Sequence, residues 1–204
     1  MSVSLTKIEK LKNRRYGLYI EDETFLFDID EDTLVHFALA KGQTYTQNKV
    51  DEIQRHDQFI SCLHQAFRYL ERRPHLKKEL YRKLKQKSFP ERSIDQTMDY
   101  LEEKQYLDDL DFIRRFINDQ VRLKKNGFLL IKKKLIEKGA KQEDAERLLL
   151  LYYNEKLQIA NAKALLEKKK SKLAETDSSK AKQKLVRHLQ QKGFPWRIIE
   201  SALD

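Results

Sequence analysis

Residues 80–98 read Leu80-Tyr81-Arg82-Lys83-Leu84-Lys85-Gln86-Lys87-Ser88-Phe89-Pro90-Glu91-Arg92-Ser93-Ile94-Asp95-Gln96-Thr97-Met98. The skeleton of this stretch is Leu80, Leu84, a break at Lys87-Ser88-Phe89-Pro90, then Ile94 and Met98. It returns 51 residues on as Ile131, Leu135, Lys138-Gly139-Ala140-Lys141, Ala145 and Leu149. After a further 54 residues it returns as Leu185, Leu189, Lys192-Gly193-Phe194-Pro195, Ile199 and Leu203. Apolar residues four apart on either side of a glycine or proline break describe two amphipathic helices joined by a tight turn. Recurrence at a period of roughly fifty residues describes an array of one supersecondary unit.

Working outward, each unit gains a helix before this pair. Unit one has helices over 58–72 (Phe59, Leu63, Phe67, Leu70), 75–87 (Leu76, Leu80, Leu84) and 91–104 (Ile94, Met98, Leu101), with Pro74 in the first turn of the second. Unit two has helices over 109–125, 128–138 and 142–153, broken at Asn126-Gly127 and Gly139. Unit three has helices over 154–173 and 179–192, a polar loop over 175–179, Gly193, and a last helix opening at Pro195. That helix has about ten residues before Asp204, so a short helix and a truncated chain both stay open. Gly139 and Gly193 suit a left-handed helix end. Ser88 takes that place in unit one, so its turn is strained or closed differently. Trp196 is expected to anchor packing.

The first residues follow another rule. Tyr16-Gly17-Leu18-Tyr19-Ile20 and Thr24-Phe25-Leu26-Phe27-Asp28-Ile29 flank the polar Glu21-Asp22-Glu23, which predicts a β-hairpin. Asp30 or Asp32 can cap a helix near 32–41 ended by Gly42, and a short helix follows Asn48. The fold class is mainly α: tandem three-helix repeats in an elongated array behind a small N-terminal β-hairpin-plus-helix module. The expected divisions are 1–57, 58–107, 108–153 and 154–204.

The 204 residues carry a formal charge of +10, unevenly spread. Residues 1–59 hold 8 Lys and Arg against 11 Asp and Glu, whereas residues 60–204 hold 34 against 21. A basic helical array is an electrostatic footprint for a polyanion. The single Cys62 builds no disulfide framework and suits a reducing cytosol. No stretch has the length to span a membrane and residues 1–13 lack the apolar core of a signal peptide, so cytoplasmic residence is expected. His36, His56, His64, His75 and His188 show no ligand spacing with one another or with Cys62. With no glycine-rich phosphate loop or nucleophile elbow, neither an enzyme nor a metal or cofactor site is expected. The run from Asp28 to Asp32 fails as a calcium loop, because Thr33 and Leu39 stand where glycine and glutamate are needed. One of Asp108, Asp109 and Asp111 is expected to cap a helix, the others to complement its positive end.

Cations recur at equivalent places. Lys77, Lys78, Arg82, Lys83, Lys85 and Lys87 lie on the middle helix of unit one. Lys124, Lys125, Lys132, Lys133, Lys134 and Lys138 bracket that of unit two, and Lys180, Lys182, Lys184, Arg187 and Lys192 that of unit three. If stacking aligns the units, the middle helices form one basic stripe. Arg68, Arg72, Arg73, Arg114, Arg115 and Arg122 serve equally well as anion-binding forks or as answers to helix dipoles. Tyr69, Tyr81, Tyr100, Tyr106, Tyr152 and Tyr153 read as core-edge residues with wet hydroxyls.

Ala66-Phe67-Arg68-Tyr69-Leu70-Glu71-Arg72-Arg73-Pro74 leads into Lys78-Glu79-Leu80-Tyr81-Arg82-Lys83-Leu84. Leu101-Glu102-Glu103-Lys104-Gln105-Tyr106-Leu107-Asp108-Asp109-Leu110-Asp111-Phe112 follows, then Arg122, Lys125, Gly127, Ile131, Leu135 and Lys138-Gly139. Together these resemble the RecX family over roughly residues 60–204, and the N-terminal module resembles the extension of its Gram-positive members. Three departures concern turns: Pro74-His75-Leu76 supplies no helix cap, and Gln105 and Ser88 stand where the family has glycine. The resemblance implies tandem three-helix motifs and a regulator that binds the RecA–DNA filament, opposing its growth, strand exchange and coprotease activity. The expected partners are RecA as a nucleoprotein filament and single- and double-stranded DNA, engaged by a monomer. The residues expected to carry this are Arg68, Arg72, Arg73, Lys77, Lys78, Arg82, Lys85, Arg115, Arg122, Lys124, Lys125, Lys132, Lys133, Lys134, Lys138, Lys182 and Arg187. A transcription factor of helix-turn-helix units is the alternative, and an adaptor meeting an acidic protein surface a third. Lysine-rich, mutually similar middle helices favour backbone contact over base readout.

Overall fold

The computed structural model describes residues 2–171 and 178–203. The chain divides into two compact bodies: residues up to 74 together with 80–106, and residues 75–79 together with those from 107 on.

The first body begins with β1 (Ser2–Ser4), β2 (Lys7–Lys10), β3 (Arg15–Ile20) and β4 (Thr24–Asp30). The expected hairpin is β3 against β4, antiparallel, with Ile20 opposite Thr24 and a register shift at Leu18/Tyr19. Its connection is a 3-10 turn over Glu21–Glu23 in which Asp22 and Glu23 take φ of 57° and 55°. β2 pairs with the other edge of β3, and β1 pairs with β5 (Thr44–Thr46). The sequence reading missed β1, β2 and β5, which are three or four residues long and rich in Ser, Thr and Lys. Leu5, Leu18, Ile29, Leu39 and Ile53 form the core of this module.

Two helices depart from expectation. α1 (Glu31–His36) is capped by Asp30, whose side chain accepts from Asp32 N, but it ends well before Gly42. Ala38 turns left-handed at φ 47° and delivers Leu39 to the core, so burial of Leu39 outweighs another helical turn. α2 (Gln47–Leu70) is one helix of 24 residues, where the sequence reading had a short helix after Asn48 and a new one from 58. Thr46 caps it, and no glycine or proline interrupts it. Val50 and Ile53 are buried on its first half, Cys62, Leu63 and Ala66 on its second. α3 (Lys77–Lys85) contributes Leu80 and Leu84 to the first body, and α4 (Glu91–Glu103) contributes Ile94, Met98 and Leu101, all buried. Pro74 precedes α3 instead of opening it.

The second body holds α5 (Asp109–Arg122), α6 (Phe128–Lys138), α7 (Gln142–Tyr152), α8 (Glu155–Lys170), α9 (Ser178–Gln191) and α10 (Trp196–Leu203). Among the described residues the chain thus has ten α-helices. Asp108 caps α5 by accepting from Asp111 N at 2.9 Å, and Asn154 caps α8 by accepting from Leu157 N at 3.0 Å. Ile113, Ile117, Ile131, Leu135 and Leu149 form one core, joined by Leu76 from the segment before α3. Ala162, Leu166, Leu189, Phe194 and Ile199 form another. Truncating Leu135 or Leu189, each fully buried, to alanine would cost about 3 kcal/mol. The loop expected over 175–179 lies outside the described residues at 175–177, and α9 already starts at Ser178. Trp196 is no anchor: it is 56% exposed, because Ile198 and Ile199 take the inward positions of α10.

Candidate nucleic-acid interface

The middle helices of the second body meet end to end through glycine. Gly139 closes α6 at φ 105°, and a Cβ there would stand 2.9 Å from Lys78 Cβ, at the head of α3. Gly193 follows α9 at φ 80°, and a Cβ there would collide with the backbone N of Leu130, at the head of α6. Two backbone hydrogen bonds fix this second joint: Gly127 N donates to Lys192 O at 2.7 Å and Leu129 N to Gly193 O at 2.9 Å. The first amides of α6, which lack intrahelical partners, are thus satisfied by carbonyls just beyond the C-terminus of α9, positive end to negative end. At the head of α3, Lys77 N donates to Asp109 Oδ1 at 2.8 Å and Lys138 Nζ lies 3.7 Å from Glu79 Oε1. Asp108, Asp109 and Asp111 are accordingly a cap, a second cap and an arginine partner.

This geometry sorts the expected binding residues. Lys78, Arg122, Lys124, Lys182 and Arg187 are exposed, and none has a side-chain partner among the described residues. Lys132 is half-buried against Glu146 at 2.9 Å, and Lys134 donates to Gln120 Oε1 at 3.2 Å. Lys125 reaches Asn161 Oδ1 at 3.4 Å, and Asn161 Nδ2 donates to Val121 O at 3.1 Å, tying α8 to α5. Lys133 is exposed with Glu137 at 3.8 Å, a pair worth little in water. Arg115 Nε lies 2.6 Å from Asp111 Oδ2. Lys77 is half-buried. In the first body Arg68, Arg72, Arg73, Arg82 and Lys85 are exposed, with Lys85 3.8 Å from Glu91 and Arg73 donating to Pro74 O at 3.0 Å.

Beside the α6–α9 joint, Gln120, Lys124, Lys134, His188 and Lys192 line a groove of about 380 Å³. Burial first, then the fields of Lys169 and Lys192, hold the His188 imidazole below its ordinary pKa of 6.5. Lys124, Lys134 and Lys192 gathered around one groove make it a place where an anion would be favoured. Lys192 is one of the recurring cations of unit three, but nothing in the sequence marks His188, and the convergence of both with Lys124 depends on the joint. Tyr69, Tyr81 and Tyr100 sit half-buried at the core edge as expected, whereas Tyr106 and Tyr152 are exposed and Tyr153 is buried. It is 1% exposed, hydrogen-bonded to Asn161 Nδ2 at 3.3 Å, and pushed up to about 12 by burial. Burial likewise pushes the Cys62 thiol up. No helix among the described residues is long and apolar enough to cross a membrane.

Residues 62–101 match the first three-helix domain of RecX and residues 157–203 the third. A regulatory protein RecX of Staphylococcus carnosus is 31% identical over 99% of this chain and 74% of its own length. One from Geobacillus is 31% identical over 89% of this chain and 66% of its own. A crystal structure of a regulatory protein RecX superposes with a TM-score of 0.75 at 24% identity, covering 99% of both chains. The crystal structure of RecX from Lactobacillus salivarius does so with a TM-score of 0.66 at 24% identity, over 72% of this chain and 95% of its own. At these identities the superpositions speak for the fold.

Proposed function

The chain belongs to the RecX family of regulatory proteins, and from that premise we propose that it binds the RecA–DNA filament and modulates recombinase and coprotease activity, chiefly by inhibition. The protein acts by occupancy, without catalysis. Exposed lysines of the middle helices, with Arg187, neutralise phosphates, and the bound protein stands in the way of further recombinase or a partner strand. The observation that carries this reading is the repeated glycine joint. Within the second body it sets α6 directly after α9, so the exposed cations of one helix follow those of the other, as a filament of repeating phosphates demands. Neutralising each phosphate releases condensed counterions, so binding weakens steeply with salt.

The test is co-sedimentation with RecA–single-stranded DNA filaments beside the rate of DNA-dependent ATP hydrolysis. The chain is expected to pellet with filaments and slow hydrolysis. Lys78→Glu, Lys182→Glu and Arg187→Glu together are expected to abolish both effects without unfolding the protein, since all three side chains are exposed. Unchanged hydrolysis and no co-sedimentation at low salt would sink the proposal.

A further inference from the structure

Away from the lysines, the second body carries a cleft of about 450 Å³ with a different chemistry. Arg114, Arg115 and Arg122 reach it from α5, Tyr152 from the end of α7 and Leu157 from the first turn of α8, with Val121 beneath. Every cation in its wall is an arginine. Asp111 holds two of them, Arg114 on one carboxylate oxygen and Arg115 on the other. One half-buried carboxylate therefore orients two guanidinium groups while neutralising only one. Arg122 is exposed and has no partner among the described residues. The cleft keeps an excess of positive charge, presented by planar forks suited to carboxylates.

The apolar side of the cleft is equally unspent. Tyr152 is 44% exposed and Leu157 39%. Their chain neighbours stand further out: Leu150 is 67% exposed and Leu151 68%, and Leu123, next to Arg122, is 73% exposed. Folding does not account for these leucines, because Leu148 and Leu149 already fill the core from α7. A phosphodiester backbone has nothing apolar to cover them with. Protein interfaces have the opposite composition at their centres: tyrosine, arginine and apolar side chains enriched, lysine depleted. Charge complementarity then selects an acidic occupant.

We propose that this cleft docks an acidic segment of a protein partner, its carboxylates held by Arg114, Arg115 and Arg122 and one apolar side chain seated between Tyr152 and Leu157. The site works separately from the exposed lysines, and the proposal stands whether or not the chain binds a recombinase filament.

The probe is a fluorescein-labelled, acetylated peptide Asp-Glu-Leu-Phe-Glu-Asp, titrated with the whole chain and followed by fluorescence anisotropy. Saturable binding is expected, weakened at least about fivefold when the Leu-Phe pair of the peptide becomes Ser-Ser. Arg122→Glu and Tyr152→Ala are each expected to weaken it by a similar factor, with thermal unfolding unchanged because both side chains are exposed. If Arg122→Glu lowers the unfolding temperature, Arg122→Gln carries the same expectation. Octathymidylate at the same concentration is expected to leave the peptide bound. Equal affinity for the Ser-Ser peptide, or displacement by octathymidylate, would make the cleft an unselective anion or nucleic-acid site and overturn the proposal. So would full affinity in the folded Arg122 and Tyr152 variants.

Discussion

Ser88 holds a left-handed backbone at φ 59° and Gln105 at φ 58°, in the two places where the RecX pattern has glycine. A Cβ in that region costs on the order of 1 kcal/mol, which the surrounding turn must offset. Ser88 N still donates to Lys85 O at 3.0 Å, and Gln105 N to Glu102 O at 2.9 Å, so both turns close despite the strain. Ser88→Gly is therefore expected to stabilise the chain by about 0.5–1 kcal/mol, read as a higher urea midpoint at unchanged slope. Gly193→Ala has the opposite sign. It strains a φ of 80° and drives a methyl group into the Leu130 backbone, where no rotamer can relieve it. A loss of at least about 2 kcal/mol is expected. A stability equal to wild type would mean that the α6–α9 joint does not hold in solution.

At the scale of elements, sequence spacing located what local chemistry alone decides. The β3–β4 hairpin follows from β-branched and aromatic runs around Glu21-Asp22-Glu23, and the second body's helices from apolar spacing and their glycines. α2 was misread because its two halves bury different partners, so its pattern changes phase near Asp57 while the backbone does not. The anion-favouring groove was illegible for a similar reason: Lys124 and His188 are 64 residues apart and meet only through the Gly127–Gly193 contact. Where α1 meets α2, the His36 and His56 rings stack at 4.2 Å, and Thr33 Oγ1 lies 3.2 Å from His56 Nδ1. Burial first, then His36, lowers the pKa of His56, while Asp57 and Glu52 act weakly the other way. The sign follows from linkage. As pH falls through 6.5, the unfolded chain takes protons that folded His56 and His188 refuse, so stability falls until their folded pKa values are passed. Asp57 works against this only in the carboxylate range, because burial raises its pKa above 3.8. The urea midpoint is expected to drop between pH 7.5 and 5.5, and to drop less in His56→Gln with His188→Gln. An identical pH slope in that double variant would show the histidines are not its source.

For the whole molecule, the charge is a property of the repeats: 34 Lys and Arg against 21 Asp and Glu after residue 59, and 8 against 11 before it. Composition alone treats these cations as equal, whereas packing does not. Lys132, Lys134 and Lys138 carry part of the fold through Glu146, Gln120 and Glu79. Lys124, Lys182 and Arg187 stand in water without partners among the described residues. Two triple variants with the same loss of charge should therefore fail differently. Replacing Lys124, Lys182 and Arg187 by glutamine should leave the urea midpoint unchanged and lower the slope of log affinity for single-stranded DNA against log salt by about 2. The same replacement of Lys132, Lys134 and Lys138 should lower the midpoint and change the slope by less, because neutralised, half-buried side chains release few counterions. Equal slopes for the two variants would mean that only net charge matters, and that repetition along the middle helices has no part in binding.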